Sequence, residues 1–280
     1  MRHFLLGILA LTVCLCLLAG CGSAAHYTGG GYTPTTTAAT TAEEEISLCG
    51  TWKLNSTDVT FTDVVAGNSF LTLLGGNVDE VEENEALLYF FEKGKITSDM
   101  IAPVIKKFCD GLVLSFDERD TVSVTVDPEV CRACFKDATD ILFDAIDKLS
   151  EMELSELFDV SVEELQKKDA DAAKQLGESM RSISQKRVEV MTAESIAKTY
   201  EYATLNAGGM VEFPAISYSQ NGKYATIKDE KCSAVRNIKV VKAGSGARIA
   251  DATITVGGEV EQFSAALILE KGMRLERVSA

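Results

Sequence analysis

The residues best suited to chemistry in this chain are two thiols, Cys131 and Cys134, in the segment VCRACF. They lie in the first two turns of a stretch with helical periodicity. That stretch opens at Asp127-Pro128, a side-chain cap followed by a proline in the first turn. A helix N-terminus lowers a thiol pKa, so the pair can be read as a redox couple. It can equally be a structural disulfide or two buried free thiols. No thioredoxin-like βαβ pattern surrounds it.

Other chemistries find less support. The two histidines, His3 and His26, both precede residue 46, so the part of the chain that reads as folded has none. Ser-His-Asp and Cys-His catalysis and any His-ligated zinc are thereby excluded from that part. It carries no Gly-rich phosphate loop and no Gly-x-Ser-x-Gly elbow. Carboxylates abound, with 42 acidic against 27 basic residues, so no acid pair stands out. A glycosidase-type pair is placed by the fold, not by spacing. The cluster Asp79, Glu80, Glu82, Glu83 and Glu85 lacks the spacing and the glycine of a calcium loop. It sits in the first turns of a helical pattern over 78–93, where the macrodipole favours acids. The sequence therefore calls for no metal and no cofactor.

The elements that would position the thiols follow from periodicity. The segment around Trp52 in GTWKLN reads as a short strand pair. Helical apolar spacing continues over 98–109. In LVLSFDERDTVSVTV, Leu112, Leu114 and Phe116, then Val122, Val124 and Val126, alternate with polar or small residues about a polar turn, which predicts a β-hairpin. Helices are expected over 129–150 and 161–190, the second more polar with a thin apolar stripe. From Ile196 the period changes to two. Strands are expected near 198–205, 210–218, 222–228, 235–242, 247–256, 259–269 and 273–278, separated by glycine-marked turns. Candidate inward residues are Phe213, Ile238, Val240, Ile254, Phe263, Leu267 and Leu269. So many antiparallel strands must close into a barrel or bury one face. The expected fold is α+β: an antiparallel meander forming a barrel or half-barrel, with N-terminal helices and a helical insertion at about 128–195. That insertion should pack on the β domain through its 129–150 helix.

The N-terminus is organised differently. Arg2 precedes an apolar run through residue 19, which ends in Leu18, Ala19, Gly20 and Cys21. This resembles the lipobox of bacterial lipoproteins. The resemblance implies a signal peptide over 1–20, cleavage before Cys21, and lipid attachment to the Cys21 thiol. A cleaved secretory signal and a retained membrane helix are the alternatives. Residues 21–45 are rich in Gly, Ser, Ala and Thr and read as a spacer. Loss of residues 1–20 removes Arg2 alone among charged side chains, which leaves 26 basic and 42 acidic residues, net −16. Such a charge disfavours nucleic acid as a partner. Residues 46–280 suit one large domain or two small ones.

A second resemblance covers most of 46–280. Gly50-Thr51-Trp52, LTLLGG near 71–76, the FDERDTVSVTV hairpin, the meander and the final LEKGMRLERV are similar to lipocalin-like domains of gut-bacterial lipoproteins. The resemblance implies a calycin-type barrel with Trp52 at its closed end and an apolar interior able to hold a small ligand. Together these readings give a lipid-anchored protein of the cell membrane or outer membrane, facing outside the cytoplasm. The expected role is a non-catalytic binding or interaction module. Its expected partners are the membrane, through the lipid on Cys21, and a small apolar ligand or an envelope protein. The alternatives are a thiol-redox or carboxylate-based enzyme, and a structural envelope protein with a filled barrel.

Overall fold

The computed structural model describes residues 44–60, 93, 95–150, 152–153, 170–200, 203–230, 234–256 and 268–278. Residues 1–43, which include the expected signal peptide, Cys21 and most of the expected spacer, lie outside the described residues. So do the 78–93 helical pattern except Lys93, LTLLGG, and Cys232.

The first strand, β1 (Gly50–Asn55), is followed by helix α1 (Ser98–Asp110) and the hairpin β2 (Leu112–Phe116) and β3 (Thr121–Val126). Three helices come next: α2 (Pro128–Ile146), α3 (Ala170–Glu189) and α4 (Ala193–Thr199). The chain then runs through the two-residue β4 (Thr204–Leu205) and the meander β5 (Val211–Asn221), β6 (Tyr224–Asp229), β7 (Ala234–Ala243), β8 (Gly246–Val256) and β9 (Arg274–Arg277). Every pairing is antiparallel, β1 lies between β2 and β9, and β3 pairs with β5. The result is a closed eight-strand barrel of lipocalin-like form, with β4 as a short outrider on β5.

Closure runs across the helical insertion. Val126 pairs with Val211, Thr125 with Glu212 and Val124 with Phe213; the register then shifts before Val122 meets Ile216. The shift falls at Pro214, which has no N–H to give a ladder, so a bulge is where a proline can sit in a central strand. One extra residue also swaps which side chains face inward. Val211 and Phe213 are buried before it, and Tyr218 after it.

Three helices gather at one end of this barrel, for a reason visible in the register. Leu112 pairs with Val126, and Val126 with Val211. The start of β2, the end of β3 and the start of β5 are therefore side by side. α1 reaches this rim through the single residue Gly111, α2 leaves it through the single residue Asp127, and α4 returns to it through β4. Asp127 caps α2 as the sequence implied, its carboxylate accepting the Glu129 N–H at 2.8 Å, with Pro128 in the first turn. A Cβ on Gly111 would come within 2.6 Å of Val130, so glycine is what lets the two helices approach. The buried faces follow helical spacing: Ile101, Val104, Ile105 and Phe108 on α1, and Cys131, Cys134, Phe135, Ala138 and Leu142 on α2. α3 lies on α2 rather than on the barrel, held by Arg181 to Asp144 at 3.0 Å and to Asp147 at 2.6 Å.

Several boundaries depart from the periodicity. The strand expected over 198–205 begins as helix α4, and only Thr204–Leu205 is extended. Thr192 caps α4 through its hydroxyl, which a period-two reading passes over. Ile268 is helical, so the described end of the segment expected as strand 259–269 is not extended. Among the described residues, β1 pairs with β2 and β9 rather than with a strand close after it in sequence.

Trp52 has no exposed surface and sits midway along the wall, opposite Leu114. Its Nε1–H donates to the Leu48 carbonyl at 2.6 Å, and the Arg277 guanidinium lies 5.5 Å from its ring centroid. Gly50 takes φ +121°, a backbone conformation open mainly to glycine. Replacing Trp52 with alanine removes this packing and leaves the Leu48 carbonyl unpaired. We expect Trp52→Ala to lower unfolding stability by about 3–5 kcal/mol, read as a reduced urea midpoint with an unchanged slope.

Candidate functional site

The barrel interior is lined by residues that share rows across the sheet. Trp52 pairs with Leu114, Leu114 with Val124, and Val124 with Phe213, so these four side chains lie on one inner belt. Leu54, Phe116, Val122, Ile227, Ile238, Val240 and Ile249 are buried with them. Of the expected inward residues, Phe213, Ile238, Val240 and Leu269 are buried. Ile254 shares the inward row of Ile227 and Arg236 but is 39% exposed, while Phe263 and Leu267 lie outside the described residues.

One end is shut by the chain's own N-terminal strap, residues 44–48. Gln220 fastens it. Its Oε1 accepts from the Leu48 N–H at 2.9 Å and from the Tyr218 hydroxyl at 2.8 Å. Its Nε2 donates to the Ile46 carbonyl at 2.7 Å and the Gly222 carbonyl at 2.8 Å. All four hydrogen-bonding positions of the amide are thus used. Further out, the Lys242 N–H donates to the Glu44 carbonyl, and the Lys242 ammonium pairs with the Glu44 carboxylate at 2.5 Å.

The other end is the mouth, filled by Tyr200. This side chain is 2% exposed. Its ring lies 5.3 Å from Phe213 in the barrel wall, 6.2 Å from Phe108 of α1 and 6.1 Å from Phe135 of α2. Its side chain is hydrogen-bonded to that of Cys131. Burial raises the tyrosine pKa well above its ordinary value, with the neighbouring thiols adding to it.

Cys131 and Cys134, singled out by spacing, are brought together with this aromatic cluster. They are buried free thiols, as is Cys109 on α1. The Cys134 sulfur contacts the Val104 carbonyl at 3.7 Å, stitching α2 to α1. Burial pushes both up to about 12, and Cys109 higher still. The helix N-terminus is present, but desolvation outweighs it. At neutral pH these groups are protonated, whereas thiol-redox catalysis needs an accessible thiolate.

Sequence reasoning passed over several residues of the two ends. Tyr200 falls in the stretch 198–205, whose period reads as strand. Gln220 is a lone polar residue before an Asn-Gly turn, with no local signal for its role. Arg236 did leave a trace, since it occupies an inward position between Ala234 and Ile238. Its side chain is 2% exposed. Nε donates to the Leu269 carbonyl at 2.5 Å, while Nη2 faces Glu270 Oε1 at 2.5 Å as an ion pair outside hydrogen-bonding angles. It holds the segment before β9 against the barrel. No group of His, Cys, Asp and Glu able to hold a metal occurs among the described residues, and no described helix is long and apolar enough to cross a membrane.

Fold and site thus define a closed antiparallel barrel with a strapped end and a helix-capped, tyrosine-filled mouth. No family model, curated protein or solved structure matches the chain.

The thiols give a pH dependence of definite sign. Their folded pKa values are raised, so their contribution is complete below the unfolded value near 9 and is lost as pH climbs toward 12. In that window the unfolded chain binds fewer protons than the folded one, so stability falls with rising pH, by at most about 1.4 kcal/mol per unit for each thiol. Urea midpoints between pH 8 and 11 should decline steeply, and Cys131→Ala with Cys134→Ala should flatten the decline.

Proposed function

We propose that this chain is a lipid-anchored, non-catalytic binding module that faces outside the cytoplasm, attached to the cell membrane or outer membrane through a lipid on Cys21. The observation that carries the binding reading is the asymmetry of the barrel. Its apolar interior is shut at one end by a hydrogen-bonded strap and covered at the other by packed helices. An interior of this kind suits a small apolar ligand. The anchor reading rests on Leu18-Ala19-Gly20-Cys21 after an apolar run. It agrees with the strap, because the chain enters the domain at the end away from the mouth. Two or more acyl chains make such an attachment durable.

A second reading is favoured by one observation. The inner belt already carries Trp52, Leu114, Val124 and Phe213, and Tyr200 fills the mouth. A barrel filled by its own side chains would make this chain a structural envelope protein. The two readings separate on extraction: solvent treatment of protein purified from its native membrane should release an apolar small molecule in near-stoichiometric amount under the first reading, and none under the second.

The anchor has its own test. Mass spectrometry of the mature N-terminus should show Cys21 as the first residue, carrying acyl mass. Cys21→Ser should abolish that mass and either free the chain or leave it uncleaved. An unmodified Cys21 in the wild type would remove the lipoprotein reading.

A further inference from the structure

The inward row Ile227–Arg236–Ile254 runs from a sealed interior to an open edge. Ile227 is buried, Arg236 is 2% exposed and Ile254 is 39% exposed. The pairing of β8 explains the gradient. Among the described residues, the β8–β9 ladder holds Ala247 with Leu275 and Arg248 with Arg274. Two more bonds extend it, from the Ile249 N–H to the Met273 carbonyl at 2.8 Å and from the Gly272 N–H to the Ile249 carbonyl at 2.9 Å. From Asp251 to Val256, β8 pairs with β7 alone among the described residues. The inner face of that stretch therefore has a free side, and Arg236 lies directly across from it at Ile254.

The guanidinium is under-served in this position. Its Nε donates to the Leu269 carbonyl at 2.5 Å, which uses one of the five N–H groups such a side chain carries. Nη2 is buried without a hydrogen-bond acceptor, and what faces it is Glu270 Oε1, an ion pair at 2.5 Å. A guanidinium recognises a carboxylate best through parallel hydrogen bonds, so Glu270 supplies the charge without the geometry. Asp229, inward on β6 opposite Ala234, has a partner of its own. Of the pair, Glu270 is the member free to leave, since its side chain is 24% exposed against 2% for Arg236.

The geometry points to Arg236 as the head-group site for a small monocarboxylate with an apolar tail. The ligand carboxylate takes the place of Glu270, and the tail lies over Ile254 along the free side of β8. Glu270 holds that place until a better-oriented carboxylate displaces it into water. The exchange keeps a negative charge beside the buried cation throughout, which avoids the cost of leaving it unpaired. The tail removes the exposed surface of Ile254 from water. This inference rests on the ligand-binding reading above and gives that ligand its chemical class, an acid and not a neutral lipid.

Two fluorescent probes separate charge from tail: cis-parinaric acid and its methyl ester, which share a hydrocarbon chain. Each is titrated into the full chain as wild type, Glu270→Gln and Arg236→Met. The wild type should bind the acid about tenfold tighter than the ester, the margin of a charge-assisted hydrogen bond. Glu270→Gln removes the competing charge from a partly exposed position. It should tighten the acid by about a further tenfold and leave the ester unchanged. Arg236→Met should abolish the preference, with its Trp52 emission maximum before titration showing that the fold is kept. If Arg236→Met does not fold, Glu270→Gln decides alone, because the acid-to-ester ratio must widen for the site to stand. Equal affinity for acid and ester in the wild type and in Glu270→Gln would overturn the carboxylate site and leave the apolar-ligand reading intact. An acid preference that neither variant alters would overturn it too, since the charge would then be read elsewhere. Binding of neither probe by any of the three proteins would overturn both the site and the ligand-binding reading.

Discussion

The pairing of β3 with β5 is the contact on which the rest of this architecture depends. Between Val126 and Val211 the chain makes an excursion that carries α2, α3, α4 and the short β4, then returns to the same rim and the same partner strand. Loop-closure entropy grows only with the logarithm of length, so a long excursion costs little more than a short one. The cost is offset by a ladder that includes Val126–Val211 and Val124–Phe213 and places apolar side chains on the inner face at each. Without this seam, β3 and β5 would both be edges, and each would present unpaired N–H and C=O groups. With it, the barrel closes and the excursion is pinned at both of its ends.

Pinning determines what the excursion can do. Because it departs and returns at one rim, its helices have nowhere to pack except over that rim and on each other. α2 therefore meets α1, and α4 arrives last, beside the mouth. The aromatic cluster of Phe108, Phe135, Tyr200 and Phe213 is the product: one ring from α1, one from α2, one following α4 and one from the barrel wall. The buried thiols belong to the same packing. Cys131 and Cys134 occupy consecutive turns of the α2 face turned toward the barrel and α1, where a small polarizable side chain fits and a charged one does not.

Much of this was legible from period alone. The alternation of Leu112, Leu114 and Phe116 against Val122, Val124 and Val126 specified a hairpin, and Asp127-Pro128 marked the start of α2 to the residue. The meander from Val211 to Val256 was readable because its residues alternate and glycines mark two of its three turns, at Gly222 and Gly244. Three things were not. The β3–β5 seam pairs residues far apart in sequence, and no local pattern reports a partner. α4 is too short for periodicity to outweigh the strand-like residues that follow it, so Tyr200 was placed in a strand. The thiols carried a misleading signal, since a Cys-x-x-Cys at a helix start suggests activation. What decided their state is desolvation by α1 and Tyr200, which is a tertiary fact. Gln220 was silent for the same reason: two of its four hydrogen bonds reach across to residues 46 and 48, which only the closed barrel brings near.

The strap that Gln220 fastens has a mechanical meaning. Any tension carried by the chain ahead of residue 44 enters the domain through the strap. It meets the Glu44–Lys242 pair first, then the Gln220 bonds to Ile46 and Leu48, in sequence rather than together. These contacts can peel singly, as a fuse does. Behind them lies β1, hydrogen-bonded on both sides to β2 and β9, where a pull along the strand axis loads many bonds at once in shear. The domain thus meets a tug with a yielding segment in front of a stiff one, and the stretch that gives way lies at the far end from Tyr200.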